Sequence, residues 1–402
     1  MTIYRYIGRT KQGAQKKGIV DAANKQAAIT KLRAQGINPR EVNESNSILH
    51  KELNLGGAKV KNQDFVIYLR QFATLIRAGV SIVESTQILA QQSKSKPLKK
   101  ALDMVEEDIR SGISFSEATS KHPKVFPLLF SNMMRSGEAT GNIDETLERL
   151  ANTFEKQYNL KKKVQSTMTY PAVLFVLTIV VAVFMMVFIV PSFVESFESM
   201  GAELPWMTIA IIAISTWLQK FWWLVILIVI AAIVGFQMLY KRNEQFNYAV
   251  HYALLRMPVF GPLLQKTAIS RMVGTLSSLF SSAVPILQSL TIVERVVGNP
   301  VMSKVVLKAR DSLEKGSSLS EPLEQSWLFP PMVTSMTRIG ESTGSLDYML
   351  EKVAEFYDAE VERSVDTLKS LIEPLMILFL AAIVGVIVAA IFLPMFSLYE
   401  QM

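Results

Sequence analysis

Polar and apolar positions change their period several times along the chain, and each change marks an element. TIYRYIG (residues 2–8) alternates as an edge strand does, and GIVDA (18–22) follows a Gly- and Lys-rich turn as a second short strand. Ala28, Ile29 and Leu32 are spaced for a helix over 24–35 that stops at Gly36, and 37–42 is extended around Pro39. Residues 1–45 therefore predict a small α+β segment, followed by a polar linker over 46–61. No apolar core follows the first basic residues, so there is no signal-peptide pattern and the N-terminus is expected to stay in the cytoplasm.

From Asn62 the pattern is helical for about a hundred residues. Phe65, Leu69, Phe72, Leu75 and Ile76 form one face, and Ala78-Gly79 closes that helix. Ser81-x-x-Glu84 and Ser114-x-x-Glu117 have the form of capping boxes, and Pro97 suits the first turn of a helix that runs to Arg110 and ends near Gly112. The last helix starts near Ile143, with Asn142 as its N-cap, and carries Leu147, Leu150, Ala151 and Phe154 on one stripe. This punctuation predicts a compact bundle of about six helices over 62–167. No helix breaker lies between Asp144 and Tyr170, so the last helix should run on past Lys161, Lys162 and Lys163 into a membrane span.

That span is 172–190, nineteen uncharged residues, long enough at about 1.5 Å per residue to cross a hydrocarbon core of roughly 30 Å. The loop 191–205 contains Glu195, Glu198 and Glu203 but no Lys or Arg, which predicts the lysine triplet inside and the loop outside. A short apolar run, 206–218, is interrupted by Gln219-Lys220 before a second uncharged run, 221–239, ends at Lys241-Arg242. The longer run is the expected second span, with Trp217, Trp222 and Trp223 at its outer interface; 206–218 is expected to be interfacial or to extend that helix outward. A third uncharged run fills 375–393 and places the tail FSLYEQM outside. The segments expected are thus span 168–190, external loop 191–205, interfacial helix with second span 206–240, connector 241–267, second helical unit 268–370, span 371–394 and external tail 395–402.

The second helical unit is a copy of the first. RSGEATGNID (135–144) returns as RIGESTGSLD (338–347) with six of ten positions identical, and Pro171 and Pro191 return as Pro374 and Pro394. Upstream, IRSGISFSEA (109–118) matches LEKGSSLSEP (313–322) with one residue of slippage, so the capping box at Ser114 has its counterpart in Ser318-x-x-Glu321. The fold class that follows is an all-α integral membrane protein with two homologous cytoplasmic six-helix bundles, three transmembrane helices and a small α+β N-terminal segment.

Composition agrees with a chain part in membrane and part in water: 402 residues, 50% hydrophobic and 19% charged, with mean hydropathy +0.27. The absence of cysteine excludes disulfides, thiolate metal sites and Cys nucleophiles, and His50, His122 and His251 are too scattered to predict a metal site. A net charge of +7 fits an anionic membrane surface better than nucleic acid once spans are present. Neither GxxxxGK[ST] nor a GxGxxG after a strand occurs, so no nucleotide-binding loop, cofactor or catalytic centre is expected. The apolar runs offer only Thr178 and Gln237 as polar groups, so a channel or transporter would need many protomers to line a path. A receptor would have only the short external loop with which to bind a ligand.

The repeated polar motif brings Glu138, Asp144 and Glu148 close in sequence, and again Glu341, Asp347 and Glu351. Three roles are open to them: carboxylates around a divalent cation, an anchor that docks a partner, or a turn shaped by Gly137 and Gly141 in which Glu138 caps backbone N–H groups and Asp144 favours a helix N-terminus. The docking role would use Arg135, Glu138, Thr140, Asp144, Arg338, Glu341, Thr343 and Asp347. Under it, Glu138→Arg or Glu341→Arg should leave folding intact.

LRQFATLIRAGVSI (69–82), FPLLFSNMMRSGEATGNIDETLERLA (126–151), TYP before the first span and IEP before the last resemble the inner-membrane platform proteins of type II secretion systems and type IV pili, the GspF/PilC family. The likeness covers essentially the whole chain. It implies two cytoplasmic six-helix bundles and a scaffold, not an enzyme, that nucleates a pilus or pseudopilus machine. Partnership with a cytoplasmic hexameric assembly ATPase, with pilin or pseudopilin subunits, with other membrane components of the machine and with lipid is implied as well, together with a small homo-oligomer and no direct contact with nucleic acid. One departure is Ser282-Ala283-Val284, which stands where Ala78-Gly79-Val80 has the glycine that the family usually places in both units.

Overall fold

The computed structural model describes residues 2–10, 15–22, 24–34, 37–44, 60–192 and 206–401. It divides into two compact units, Met1–Lys59 and Val60–Met402. The expected linker 46–61, except its last two residues, and the external loop from 193 to 205 lie outside the described residues.

In the first unit β1 (Thr2–Thr10), β2 (Gln15–Ala22) and β3 (Ile37–Glu44) form an antiparallel sheet in the order β2-β1-β3. Helix α1 (Lys25–Ala34) follows β2, and Asn24 caps it by accepting the Ala27 N–H at 2.8 Å. Tyr4, Tyr6, Val42, Ala28 and Leu32 are buried together. β1 is the central strand, not the edge strand its alternation suggested, because Ile37–Glu44 returns along its free side. Alternation records one buried face, which central and edge strands of a one-sided sheet share. Pro39 lies on β3, an edge, opposite the register shift between Ile7 and Gly8.

The second unit is helical. Its first repeat comprises α2 (Asn62–Arg77), α3 (Ile82–Gln92), α4 (Lys96–Arg110), α5 (Phe115–Ser120), α6 (Leu128–Thr140) and α7 (Ile143–Phe184). Then come a π-helical segment (Met185–Ile189), α8 (Trp206–Arg242) and α9 (Glu244–Leu255). The second repeat comprises α10 (Phe260–Ser281), α11 (Ile286–Val296), α12 (Pro300–Glu314), α13 (Ser320–Glu324), α14 (Pro331–Thr343) and α15 (Leu346–Gln401). Each repeat is a six-helix bundle whose last helix leaves the bundle as a candidate span. Helix α10 begins at Phe260, earlier than the expected 268, and Tyr248, Tyr252 and Leu255 of the expected connector pack on the core.

Local chemistry explains the punctuation. Ser81, Ser114 and Ser318 accept the N–H groups of Glu84, Glu117 and Glu321 at 3.2–3.3 Å. Asn142, by contrast, does not cap α7 with its side chain. Its carbonyl accepts the N–H and the hydroxyl of Thr146 instead. The turn after α2 places Gly79 at φ +84, with Val80 N–H bonded to the Leu75 carbonyl. Ala283, at the matching position, adopts the same turn at φ +56, with Val284 N–H on the Leu279 carbonyl. The missing glycine therefore leaves the turn unchanged, and Ala283 bears the strain of a Cβ in the left-handed region.

The two bundles share one continuous core, from Phe65 and Phe72 through Leu147 and Leu150 to Val273, Val293 and Val353. Their junction joins the end of the first repeat to the beginning of the second. Asn132 on α6 accepts from Gln288 on α11 at 2.8 Å, Ser136 donates to the Ser282 carbonyl, and the hydroxyls of Thr153 on α7 and Ser278 on α10 lie 3.1 Å apart. α7 and α15 run side by side in the same direction, with Lys163 bonded to Glu362 and Asp366 and Phe175 stacked on Phe379.

Among the described residues three helices are long and apolar enough to cross a membrane. Within α8 the backbone is non-helical at Phe221 (φ −118°, ψ 19°), where two helices meet at a kink, so the short apolar run 206–218 precedes the second candidate span as a helix of its own. Ile211 is buried between Val190 and Ile387. Ser215 donates at 2.5 Å to the Met186 carbonyl, within the π-helical segment, where an i→i+5 pattern loosens the ordinary ladder.

Replacing Ala283 with Gly should raise full-chain stability by about 1 kcal/mol, the left-handed penalty of a Cβ. Gly79→Ala should lower it by a similar amount, since nothing lies within 4 Å of an added Cβ there and only the φ opposes it. Thermal unfolding in detergent, with a Tm rising for the first and falling for the second, checks both.

Candidate functional site

The repeated motif is helical over most of its length, not a loop: Glu138 and Thr140 sit in the last turn of α6, and Glu341 and Thr343 in the last turn of α14. Only Gly141 (φ +76) and Gly344 (φ +72) shape the turn. Gly137 has a different task from the one its place in the motif suggested. An added Cβ there would stand 2.6 Å from the Thr146 hydroxyl, and one at Gly340 would stand 2.8 Å from the Cα of Leu346. These two glycines let the last two helices of each bundle cross closely.

The glutamates turn inward. Glu138 accepts the backbone N–H of Phe115 at 2.7 Å and of Ser116 at 3.2–3.3 Å, and so caps the short helix α5. Glu341 does the same for α13 through Leu319 N–H at 2.7 Å and Ser320 N–H at 3.4 Å. A carboxylate at a helix N-terminus meets both unpaired N–H groups and the positive end of the dipole. It supplies what the apparent capping boxes leave undone, from a residue twenty-three positions further along in the first repeat. Of the open roles, capping by Glu138 is the one this geometry realises. The expectation that Glu138→Arg or Glu341→Arg spares folding does not survive it, because a cation would face those N–H groups.

The remaining residues of the motif divide by exposure. Thr140 and Thr343 return their hydroxyls to helix carbonyls at Ser136 and Ile339. Arg338 is paired with Glu324. Arg135, Asp144 and Asp347 are exposed, and no side-chain hydrogen bond or ion pair engages them among the described residues. Glu148 belongs elsewhere, held by Arg70 at 2.7 Å and Arg77 at 2.9 Å. The carboxylates of the motif are thus not brought together around a common point.

A clamp missed in the sequence ties α2 to α7. Arg70 reaches Glu148, Asn152 and both oxygens of Glu155, at 2.6–2.8 Å. Its hydrogen bond to Glu155 holds that carboxyl below the usual range, outweighing the opposing effect of burial. The signal was an arginine on the polar side of α2 and a Glu, Asn, Glu column at i, i+4, i+7 on α7, legible only if the two faces were known to meet. In the second repeat Gly274 stands where Arg70 does. A cavity of about 810 Å³ opens there between α7, α10 and α15, with Lys156 and Lys161 on one wall and Glu351, Glu355 and Asp358 on another.

A tandem pair of helical bundles, each continued by its last helix into an apolar span, defines a multi-pass membrane scaffold. Comparison with known proteins places it more closely. The family described as type II secretion system (T2SS), protein F, matches residues 68–191 and 272–394, and that protein's N-terminal domain matches residues 1–43. The chain belongs to this family. It is 38% identical to the type IV pilus assembly protein PilC of Thermus thermophilus, over 99% of this chain and 98% of that protein. Identity to the PilC of Myxococcus xanthus is 36%, covering 98% and 94%. The type II secretion system protein F of Pseudomonas aeruginosa is 30% identical, covering 100% and 99%. The role that goes with the family is that of an inner-membrane platform in a pilus or secretion machine. These names describe assembly and secretion components.

Glu138→Ala should cost about 1–3 kcal/mol, the range for a lost charge-assisted hydrogen bond with buried donors left behind, and Glu138→Arg more. Chemical unfolding of the full chain measures both, and unchanged midpoints would refute the capping role. The Arg70 clamp predicts a pH effect. A carboxyl depressed on folding contributes stability that is present above its unfolded value, ordinarily 4.5, and is lost as pH falls through the folded one. Below about pH 4.5 the native protein should therefore lose stability faster than Arg70→Met, in which Glu155 has no partner to lose.

Proposed function

We propose that this platform couples a cytoplasmic assembly ATPase to the polymerisation of pilin or pseudopilin subunits, with both bundles in the cytoplasm and the loop 191–205 and the C-terminal tail outside. What carries this reading is the continuity of α7 and α15. The 42 residues of Ile143–Phe184 and the 56 of Leu346–Gln401 each form a helix that begins in a bundle core and ends as a candidate span. At about 1.5 Å per residue these are rods of roughly 60 and 80 Å, long enough to join a motor on one side of the bilayer to subunits within it. Pro171 and Pro374 are accommodated without interrupting them.

The motor docks on the exposed groups at the bundle ends of these rods, Arg135, Asp144 and Asp347, while Glu138 and Glu341 hold the helices beneath them. A surface charge reversal changes stability by roughly 0.5 kcal/mol or less, whereas one in an interface costs several. Asp144→Arg and Asp347→Arg should therefore fold and insert normally, lose co-purification with the ATPase, and reduce pilus or secretion output at least tenfold. Asp103→Arg, an exposed charge reversal on α4, is the control. Normal output from well-expressed Asp144 and Asp347 variants would remove this docking surface. The orientation is checked separately by single cysteines: position 198 should react with an impermeant maleimide in spheroplasts, and position 103 only after the membrane is opened.

A further inference from the structure

The connector between the second candidate span and the second bundle leaves an apolar face uncovered. Helix α9 starts at once after α8: Asn243 accepts the N–H groups of Gln245 and Phe246 at 2.9 and 3.2 Å, so the chain turns directly behind Lys241 and Arg242. On one side of α9, Tyr248, Tyr252 and Leu255 pack on the bundle core. At about 100° per residue the opposite side carries Phe246, Val250, Ala253 and Leu254, all apolar. Asn247 and His251 lie on a flank and turn back to α8, where the first donates to the Tyr240 carbonyl at 3.4 Å and the second pairs with the Tyr240 hydroxyl at 2.8 Å. The turn into α10 adds to the apolar side: Leu254, Met257, Val259, Phe260 and Leu264 are 36–45% exposed. A Cβ added at Gly261 would overlap the Leu255 carbonyl, so this turn is held tight against α9. Large apolar side chains exposed so close together mark a surface that something covers.

Both ends of the segment are fixed at the level of the spans. At one end Phe246 meets Phe236, inside the second uncharged run, edge to face at 5.7 Å. At the other, Leu263 is buried with Val365 and Leu368 in a cluster against which Ile372, at the start of the third span, packs. A helix pinned at both ends to the mouths of two spans runs along the bilayer surface and not away from it. Because the bundle takes one of its faces, the opposite face is the one turned to lipid. The charges suit that place, since residues 240–264 hold Lys241, Arg242 and Arg256 against Glu244 alone. Aromatic rings gather there too: the Arg256 guanidinium lies 5.1 Å from the Tyr252 ring centre and 5.2 Å from that of Trp327, which is itself half-exposed. Aromatic and basic side chains are what a membrane interface collects.

From this geometry we propose that α9 and the turn 256–260 form an in-plane anchor in the leaflet on the bundles' side. Its apolar face lies in the boundary between headgroups and acyl chains, and its cations meet the phosphates of anionic lipids. The anchor holds the second bundle at a fixed height over the membrane, at a point separate from the rod α15.

The native chain has no cysteine, so Leu254→Cys, Met257→Cys and Phe260→Cys can each carry an environment-sensitive fluorophore in the full-length protein. The probe surface is a nanodisc of phosphatidylcholine and phosphatidylglycerol, open to solvent on both faces. Leu239→Cys, exposed at the end of the second span, is the lipid control, and Asp103→Cys on α4 is the solvent control. A lipid spin-labelled near the top of its acyl chain should quench the three positions at least half as strongly as the lipid control, and aqueous iodide at most half as strongly as the solvent control. Met257→Glu with Phe260→Glu should lower the spin-label quenching at Leu254→Cys at least twofold at unchanged Tm in detergent, because both side chains are exposed. The proposal is overturned if iodide quenches the three positions as strongly as it does position 103. It is overturned equally if neither quencher reaches them, which would mean that protein covers the face, or if the double glutamate variant leaves the quenching as it was.

Discussion

The constraint on which the rest of this structure depends is that one unbroken helix per repeat serves two solvents. In α7 the stripe Leu147, Leu150 and Ala151 must pack in a bundle core, while the same rod must present apolar side chains on all sides some twenty residues later. Because a helix cannot swivel between those two stretches without breaking hydrogen bonds, the bundle's orientation is set by the span's. Two such helices side by side, with Lys163 bonded to Glu362 and Asp366 where they leave the bundles, fix the bundles relative to each other as well.

The motif that repeats most clearly serves that constraint. Gly137 and Gly340 permit α6 to cross close to α7, and α14 close to α15. Glu138 and Glu341 then reach from the crossing helix to the start of a short helix, so the last three helices of each bundle are tied at one point. A motif can be repeated because it ties the end of a bundle together, and still leave Arg135, Asp144 and Asp347 exposed on its outer side. The half-buried glutamates hold the bundle, and the exposed charges are the ones the proposed docking would use.

Much of this was legible in the sequence, for physical reasons. Apolar runs report spans directly, since a bilayer demands length and lack of charge. Ser-x-x-Glu and Gly punctuation reports helix ends because caps are local, as the bonds at Ser81, Ser114 and Ser318 attest. What the residues hid depends on contacts distant along the chain. The partner of Glu138 lies at Phe115, and a Gly-flanked glutamate looks the same in a loop as in a last helical turn. Gly137 resembles a turn residue until Thr146 is seen against it. β1 looked like an edge because the strand that covers it comes after a helix. The packing of 206–218 on Val190 and Ile387 is long-range also, as is the clamp from Arg70 to Glu155. Family resemblance supplied the machine to which the chain belongs, which no single residue pattern named.

The central claim is that α7 and α15 transmit displacement from bundle to span as rigid rods. The most direct measurement is output from a chain in which Gln165, Ser166 and Thr167, between the bundle and the first span, are all replaced by glycine. Each glycine weakens an exposed helix by about 1 kcal/mol, enough together to make a local hinge without changing length or the bundle core. The account predicts a protein that inserts, retains its bundle stability and still binds the ATPase, yet assembles no pilus or pseudopilus. Assembly at the native level by that variant would contradict it.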